Sequence, residues 1–171
     1  MTTIQIDTVD GPIEALLNLP EGQGPWPGVV VIHDAFGYGP DKKSTNERIA
    51  RAGYVALTPN MYSRGGRVRC ITRVMRDLMT QRGRALDDIL AARDHLKAMP
   101  ECSGGIGIAG FCMGGRFALV MSPKGFGPRR RSTALPCPAT SVRRWRGRAR
   151  LWLASAAVIP WAGARPRDCA K

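Results

Sequence analysis

Residues 104–115 read Gly104-Gly105-Ile106-Gly107-Ile108-Ala109-Gly110-Phe111-Cys112-Met113-Gly114-Gly115. Ile106 to Ala109 is a short apolar, strand-like run and Arg116 to Met121 has the texture of a helix, so the segment between them predicts a sharp turn. Glycines two before and two after Cys112 suit a turn that holds its central residue in a strained conformation, where side chains on either flank would collide with strand and helix. The pattern is that of a nucleophile elbow with sulfur in place of the usual hydroxyl. A thiol is about a few per cent thiolate near neutral pH, and the helix N-terminus behind it adds a field that favours the anion. The amide of Met113, next in the chain, would be one donor of an oxyanion hole. The plainer alternative is a small buried cysteine in a glycine-rich turn; the strand–turn–helix context favours the functional reading.

Working outward, Thr3 to Asp7 places Ile4 and Ile6 on one face, and Ile13 to Leu17 is a second apolar run beyond the Asp10-Gly11 turn signal, which predicts a hairpin. Gly28 to His33 is a β-branched run, apolar on both faces, as in a buried parallel strand. Asp34 to Pro40 is then a loop, Asp41 to Ala52 a helix closed by Gly53, and Tyr54 to Thr58 a strand stopped at Pro59-Asn60. Met61 to Arg76 is polar and basic and reads as a loop. Gln81 to Met99 is a helix with Leu86, Ile89, Leu90 and Leu96 on one stripe, and His95 off it. The sum is an α/β fold, a mostly parallel sheet with flanking helices, which collects ligands beyond the carboxyl ends of its strands. Cys112 follows one such end and His33-Asp34 another.

The 171 residues fit one domain with a core. The net charge of +13 suggests a polyanion binder, yet residues 1–127 hold 15 Lys+Arg against 12 Asp+Glu, whereas residues 128–171 hold 11 against 1. The basicity belongs to the tail. Five cysteines with no C-x-x-C pair speak against a zinc knuckle or a disulfide framework and for reduced thiols in a cytoplasmic setting. Neither a signal peptide nor a membrane-spanning run is expected; the longest apolar stretch, Leu151 to Ala162, contains Pro160.

Residues 1–127 resemble the dienelactone hydrolases (carboxymethylenebutenolidases), a branch of the α/β-hydrolase fold with a cysteine nucleophile. The likeness rests on Gly110-Phe111-Cys112-Met113-Gly114-Gly115, on Val31-Ile32-His33-Asp34-Ala35-Phe36-Gly37, and on Pro59-Asn60-Met61-Tyr62-Ser63-Arg64. The resemblance implies hydrolysis of a small ester or lactone with no metal or organic cofactor. Cys112 would attack the acyl carbon. Asp34 matches the acidic residue, more often Glu, that helps to activate the thiol, and Ala35 would give the second oxyanion-hole amide. Asp34 is a weak base on its own, since its reference pKa lies about 4.6 units below that of a thiol, about 6 kcal/mol for full transfer. His33 reads either as an imidazole that shapes the oxyanion loop or as a substitute base. Tyr62, Arg64 and Arg116 are candidate contacts for an anionic substrate, or solvated surface.

The family pattern fails after Phe126-Gly127. Hydrolases of this fold supply nucleophile, acid and histidine in that order. Between Cys112 and Lys171 there is no histidine and one carboxylate side chain, Asp168. The expectation is a partial α/β-hydrolase domain over 1–127, lacking the last strands, and an atypical, poorly ordered basic tail over 128–171 from a truncated or frameshifted sequence, with impaired activity. Leu151 to Ile159 is the tail's one candidate strand. The rival readings are nonspecific nucleic-acid or anionic-membrane binding by the Arg143-Arg144-Trp145-Arg146-Gly147-Arg148-Ala149-Arg150 run, or a noncatalytic product.

Overall fold

The computed structural model describes residues 1–127, apart from Tyr38 and Gly66, together with residues 156–158. The elements run β1 (Thr2–Ile6), β2 (Ile13–Asn18), β3 (Trp26–Ile32), α1 (Pro40–Arg51), β4 (Val55–Pro59), α2 (Arg67–Thr80), α3 (Arg84–Ala98), β5 (Cys102–Phe111), α4 (Met113–Met121) and β6 (Ala156–Val158). The strands form one sheet in the order β1-β2-β4-β3-β5-β6. β4, β3 and β5 are parallel, and the pairs β1–β2, β2–β4 and β5–β6 are antiparallel. The sheet is therefore mixed, with the parallel strands at its centre.

Alternation along the central strands supplies two cores. Val30, Ile32, Val55, Leu57, Ile106 and Ile108 join one buried cluster with Leu86, Ile89 and Leu96 of α3 and Phe117 and Met121 of α4. The opposite face carries Ala56 and Thr58, which α1 covers: the Thr58 hydroxyl donates to Asn46 Oδ1 at 2.7 Å, and Asn46 Nδ2 donates to the Leu16 carbonyl at 3.0 Å. That pair satisfies polar groups which would otherwise destabilise the buried face.

One element departs from the sequence reading, and one falls inside a stretch that reading singled out. Much of the Met61 to Arg76 stretch is not loop but the first ten residues of α2, because Cys70, Val74 and Leu78 recur at helical spacing and bury, while the intervening arginines hide the period. The outer edge of β5 is not bare. Ala156–Val158, inside the candidate run Leu151 to Ile159, pairs with it in the register Ala109↔Val158, Gly110↔Ala157 and Phe111↔Ala156. The rest of that run, the Arg143–Arg150 segment and the expectation of a poorly ordered tail lie outside the described residues.

Candidate functional site

Register brings the site together. Ile32 of β3 pairs with Gly110 of β5, so the residues two further on, Asp34 and Cys112, emerge from the same end of adjacent parallel strands. Cys112 is exposed and has φ 53° and ψ −115°, a left-handed conformation that a side-chain-bearing residue rarely adopts. It sits between the last residue of β5 and the first of α4.

The flanking glycines show why the turn is possible. A Cβ at Gly110 would lie 2.2 Å from the Gly114 carbonyl oxygen, and one at Gly114 would lie 2.3 Å from the Ile32 oxygen and 2.7 Å from the His33 oxygen. The elbow thus packs backbone against backbone, both on itself and on the end of β3. Met113 follows as the first residue of α4 with its side chain buried, and its amide belongs to the first helical turn, where N–H groups have no acceptor within the helix.

Across from the elbow, Asp34 to Gly37 forms a turn closed by Gly37 N–H to the Asp34 carbonyl at 3.1 Å, while Asp34 Oδ1 accepts the Phe36 amide at 2.9 Å. The Asp34 side chain is therefore an Asx-type brace of this turn. Phe36 at the tip is 80% exposed. His33 is fully buried, with Nδ1 2.8 Å from the Asp34 oxygen and Nε2 accepting the Met61 amide at 3.3 Å, so the bond set assigns the proton to Nδ1. The Tyr62 hydroxyl donates to the Ala35 carbonyl at 3.2 Å, and its ring meets that of His33 edge-on at 4.7 Å.

Arg64 is placed elsewhere. Its Nη2 pairs with Asp88 Oδ1 at 2.7 Å and also donates to the Thr8 hydroxyl and to the Gly11 carbonyl, which ties the β1–β2 hairpin to α3. Burial holds the Asp88 carboxyl above its usual range although Arg64 pulls it down. A small hollow there, lined by Ile13, Met61, Arg64, Cys70 and Asp88 among others, includes neither Cys112 nor Asp34. Arg116 is exposed in the first turn of α4, four residues beyond Cys112. Burial also raises the thiol of Cys102, and Cys70 is buried, so of the described cysteines only Cys112 meets solvent. His95 is half-buried in α3. Among the described residues no group of three or more His, Cys, Asp or Glu could hold a metal ion, and no helix is long and apolar enough to cross a membrane.

Sequence reasoning named Asp34, Ala35, Tyr62 and Cys112 but missed the backbone links that tie them, Met61 N–H to His33 above all. The adjacency of Met61 and Tyr62 in one loop was the available signal.

A positive-φ residue lodged between a central parallel strand and a helix, on a mixed sheet of this order, defines an α/β-hydrolase fold. The sequence matches the profile of the dienelactone hydrolase family over residues 13–134, and the chain belongs to that family. It is similar to a carboxymethylenebutenolidase of Pseudomonas sp., 30% identical over an alignment of 128 residues, with 68% of this chain and 52% of the relative covered. Among solved structures it is similar to m3DLH, with a TM-score of 0.63 and 27% identity over 74% of this chain and 55% of that one. It is also similar to a dienelactone hydrolase-like promiscuous phosphotriesterase from metagenomic libraries, with a TM-score of 0.61 and 29% identity over 72% and 54% of the two chains. The chain thus spans about half the length of the relatives it matches.

Proposed function

We propose that the chain carries out acyl transfer to Cys112 from a small ester or lactone, as the first half of a hydrolase reaction, in the cytoplasm. The observation that carries the reading is the backbone of Cys112: φ 53° on an exposed cysteine, at the junction of β5 and α4, is costly strain that serves to present a side chain. In this reading residues 1–127 are the working domain. The sulfur attacks the acyl carbon, the amides of Met113 and Ala35 receive the developing oxyanion, and Asp34 contributes to drawing the proton from the thiol. Arg116 is the remaining candidate contact for an anionic substrate, since Arg64 is engaged by Asp88, Thr8 and Gly11.

Deacylation is the weak half. Between Cys112 and Lys171 the sequence has no histidine to activate water. Loss of one triad member lowers turnover by about four orders of magnitude in enzymes of this chemistry, while the oxyanion hole still acts. Stopped-flow release of p-nitrophenol from p-nitrophenyl acetate tests this. The expected trace is a burst of one equivalent followed by a very slow phase, with the burst absent in Cys112→Ala. A burst that survives Cys112→Ala would remove the thiol from the reaction.

A further inference from the structure

The oxyanion amide of Ala35 lies in a peptide whose other end is the Asp34 carbonyl. In a planar trans peptide the C=O and N–H bonds point in opposite directions, so whatever fixes one aims the other. The Asp34 oxygen accepts two bonds, from His33 Nδ1 at 2.8 Å and from the Gly37 amide at 3.1 Å. Turning that peptide would break both. The imidazole itself is held from the next loop, since the Met61 amide donates to Nε2 at 3.3 Å. Both ring nitrogens are therefore engaged by backbone groups, which is poor placement for a base and good placement for a brace.

Tyr62 secures the following peptide. Its hydroxyl holds the Ala35 oxygen at 3.2 Å, and its ring lies where a Cβ on Gly37 would be 2.9 Å away. Gly37 has φ 84°, so the turn needs glycine there for its backbone as well as for the ring. Two consecutive peptides of the 34–37 turn are thus fixed by two neighbouring residues of the sheet edge, through the loop that follows β4.

We propose that His33 is a positioning residue for the oxyanion hole, with Tyr62 as its second: by holding the Asp34 carbonyl inward, His33 aims the Ala35 N–H toward the acyl oxygen. The inference rests on Cys112 being the nucleophile. Donors fixed before the reaction need no reorganisation when charge develops, which is why their aim matters more than their number.

The test compares two reactions of one sulfur in the full chain. With p-nitrophenyl acetate, the Cys112 sulfur forms a C–S bond to the acyl carbon and the carbonyl π pair moves to oxygen. That pair returns as the C–O bond to p-nitrophenolate breaks, and the thiol proton goes to buffer. With iodoacetamide the same sulfur displaces iodide and no oxyanion forms. Rates are read at Cys112 by peptide-resolved mass spectrometry, which separates it from the other cysteines. His33→Leu is expected to lower the acylation-to-alkylation ratio by about tenfold to a hundredfold. His33→Gln, which keeps one donor and one acceptor, should recover most of it, and Tyr62→Phe should lower it by a smaller factor. A ratio equal to that of the unmodified chain in a folded His33→Leu overturns the proposal; should that variant fail to fold, an unchanged ratio in Tyr62→Phe does the same. An unmodified chain that is alkylated at Cys112 but never acylated there would overturn the nucleophile reading instead, and this inference with it.

Discussion

Tyr62 and Arg64 stand two residues apart in one loop, yet they serve different regions. Tyr62 turns to the turn that follows β3, where its hydroxyl holds the Ala35 carbonyl. Arg64 turns toward the β1–β2 side of the same edge, where its guanidinium joins Thr8 and Gly11 of the hairpin to Asp88 of α3. The two regions also differ in how they are built. The elbow edge is held mainly by backbone groups and missing Cβ atoms and leaves one sulfur exposed, whereas the Arg64 corner is an ion pair with both side chains largely withdrawn from water. A short motif can send one residue to the turn beside the elbow and its neighbour to a buried ion pair. Charge alone does not say which.

The contrast can be broken by substitutions that move one region and not the other. The largest effect is expected from Cys112→Ala, which should abolish the acyl burst while thermal unfolding stays close to that of the unmodified chain. Next is Arg64→Met, which leaves Asp88 buried without its partner. Removing one member of a buried pair costs about 3–5 kcal/mol, so the urea midpoint at neutral pH should fall sharply. The acylation-to-alkylation ratio at Cys112 should not change in the folded fraction. A large drop in that ratio would merge the two regions and return Arg64 to the site.

The pH dependence sharpens this. Burial raises the Asp88 carboxyl, with Arg64 opposing. A carboxyl raised on folding contributes stability that is complete below its unfolded value and is lost as pH rises through its folded value. Removing Arg64 leaves only the Thr8 hydroxyl to oppose burial and raises Asp88 further. The deficit of Arg64→Met should therefore be greatest near neutral pH and shrink as acid protonates Asp88, as urea midpoints at stepped pH would show. A deficit independent of pH would mean that lost packing, not the charge, is responsible.

At the elbow, Gly114→Ala drives a Cβ to 2.3 Å from the Ile32 oxygen, backbone that cannot swing aside. Overpacking of this kind costs about 1–3 kcal/mol, and acylation should fall with it because β3 and the elbow are pushed apart. Tyr62→Phe is the mildest change. It removes one hydrogen bond, about 1 kcal/mol, so stability should barely move.

The elbow was legible because it is written locally. Gly110, Cys112 and Gly114 lie within five residues, and the collisions that their spacing avoids are with each other and with the strand beside them. The sheet was legible for a similar reason, since β-branched runs such as Val29 to Ile32 have no other comfortable home. The second helix was not, because Arg67, Arg69, Arg73 and Arg76 interrupt the stripe of Cys70, Val74 and Leu78 when the sequence is read residue by residue. The fate of Arg64 was out of reach: its partners stand at positions 8, 11 and 88, and nothing short of the folded chain brings them together. The same holds for His33, whose two options depended on whether a donor would arrive at Nε2, and Met61, 28 residues away, supplies it.

Whether the strained turn presents a working nucleophile is read by intact-mass measurement after incubation with a slight excess of p-nitrophenyl acetate, followed by peptide mapping. A single acetyl group is expected, carried by Cys112 and missing from Cys112→Ala. A folded chain that gains no acetyl group, or gains it at another residue while Cys112 stays free, would contradict it.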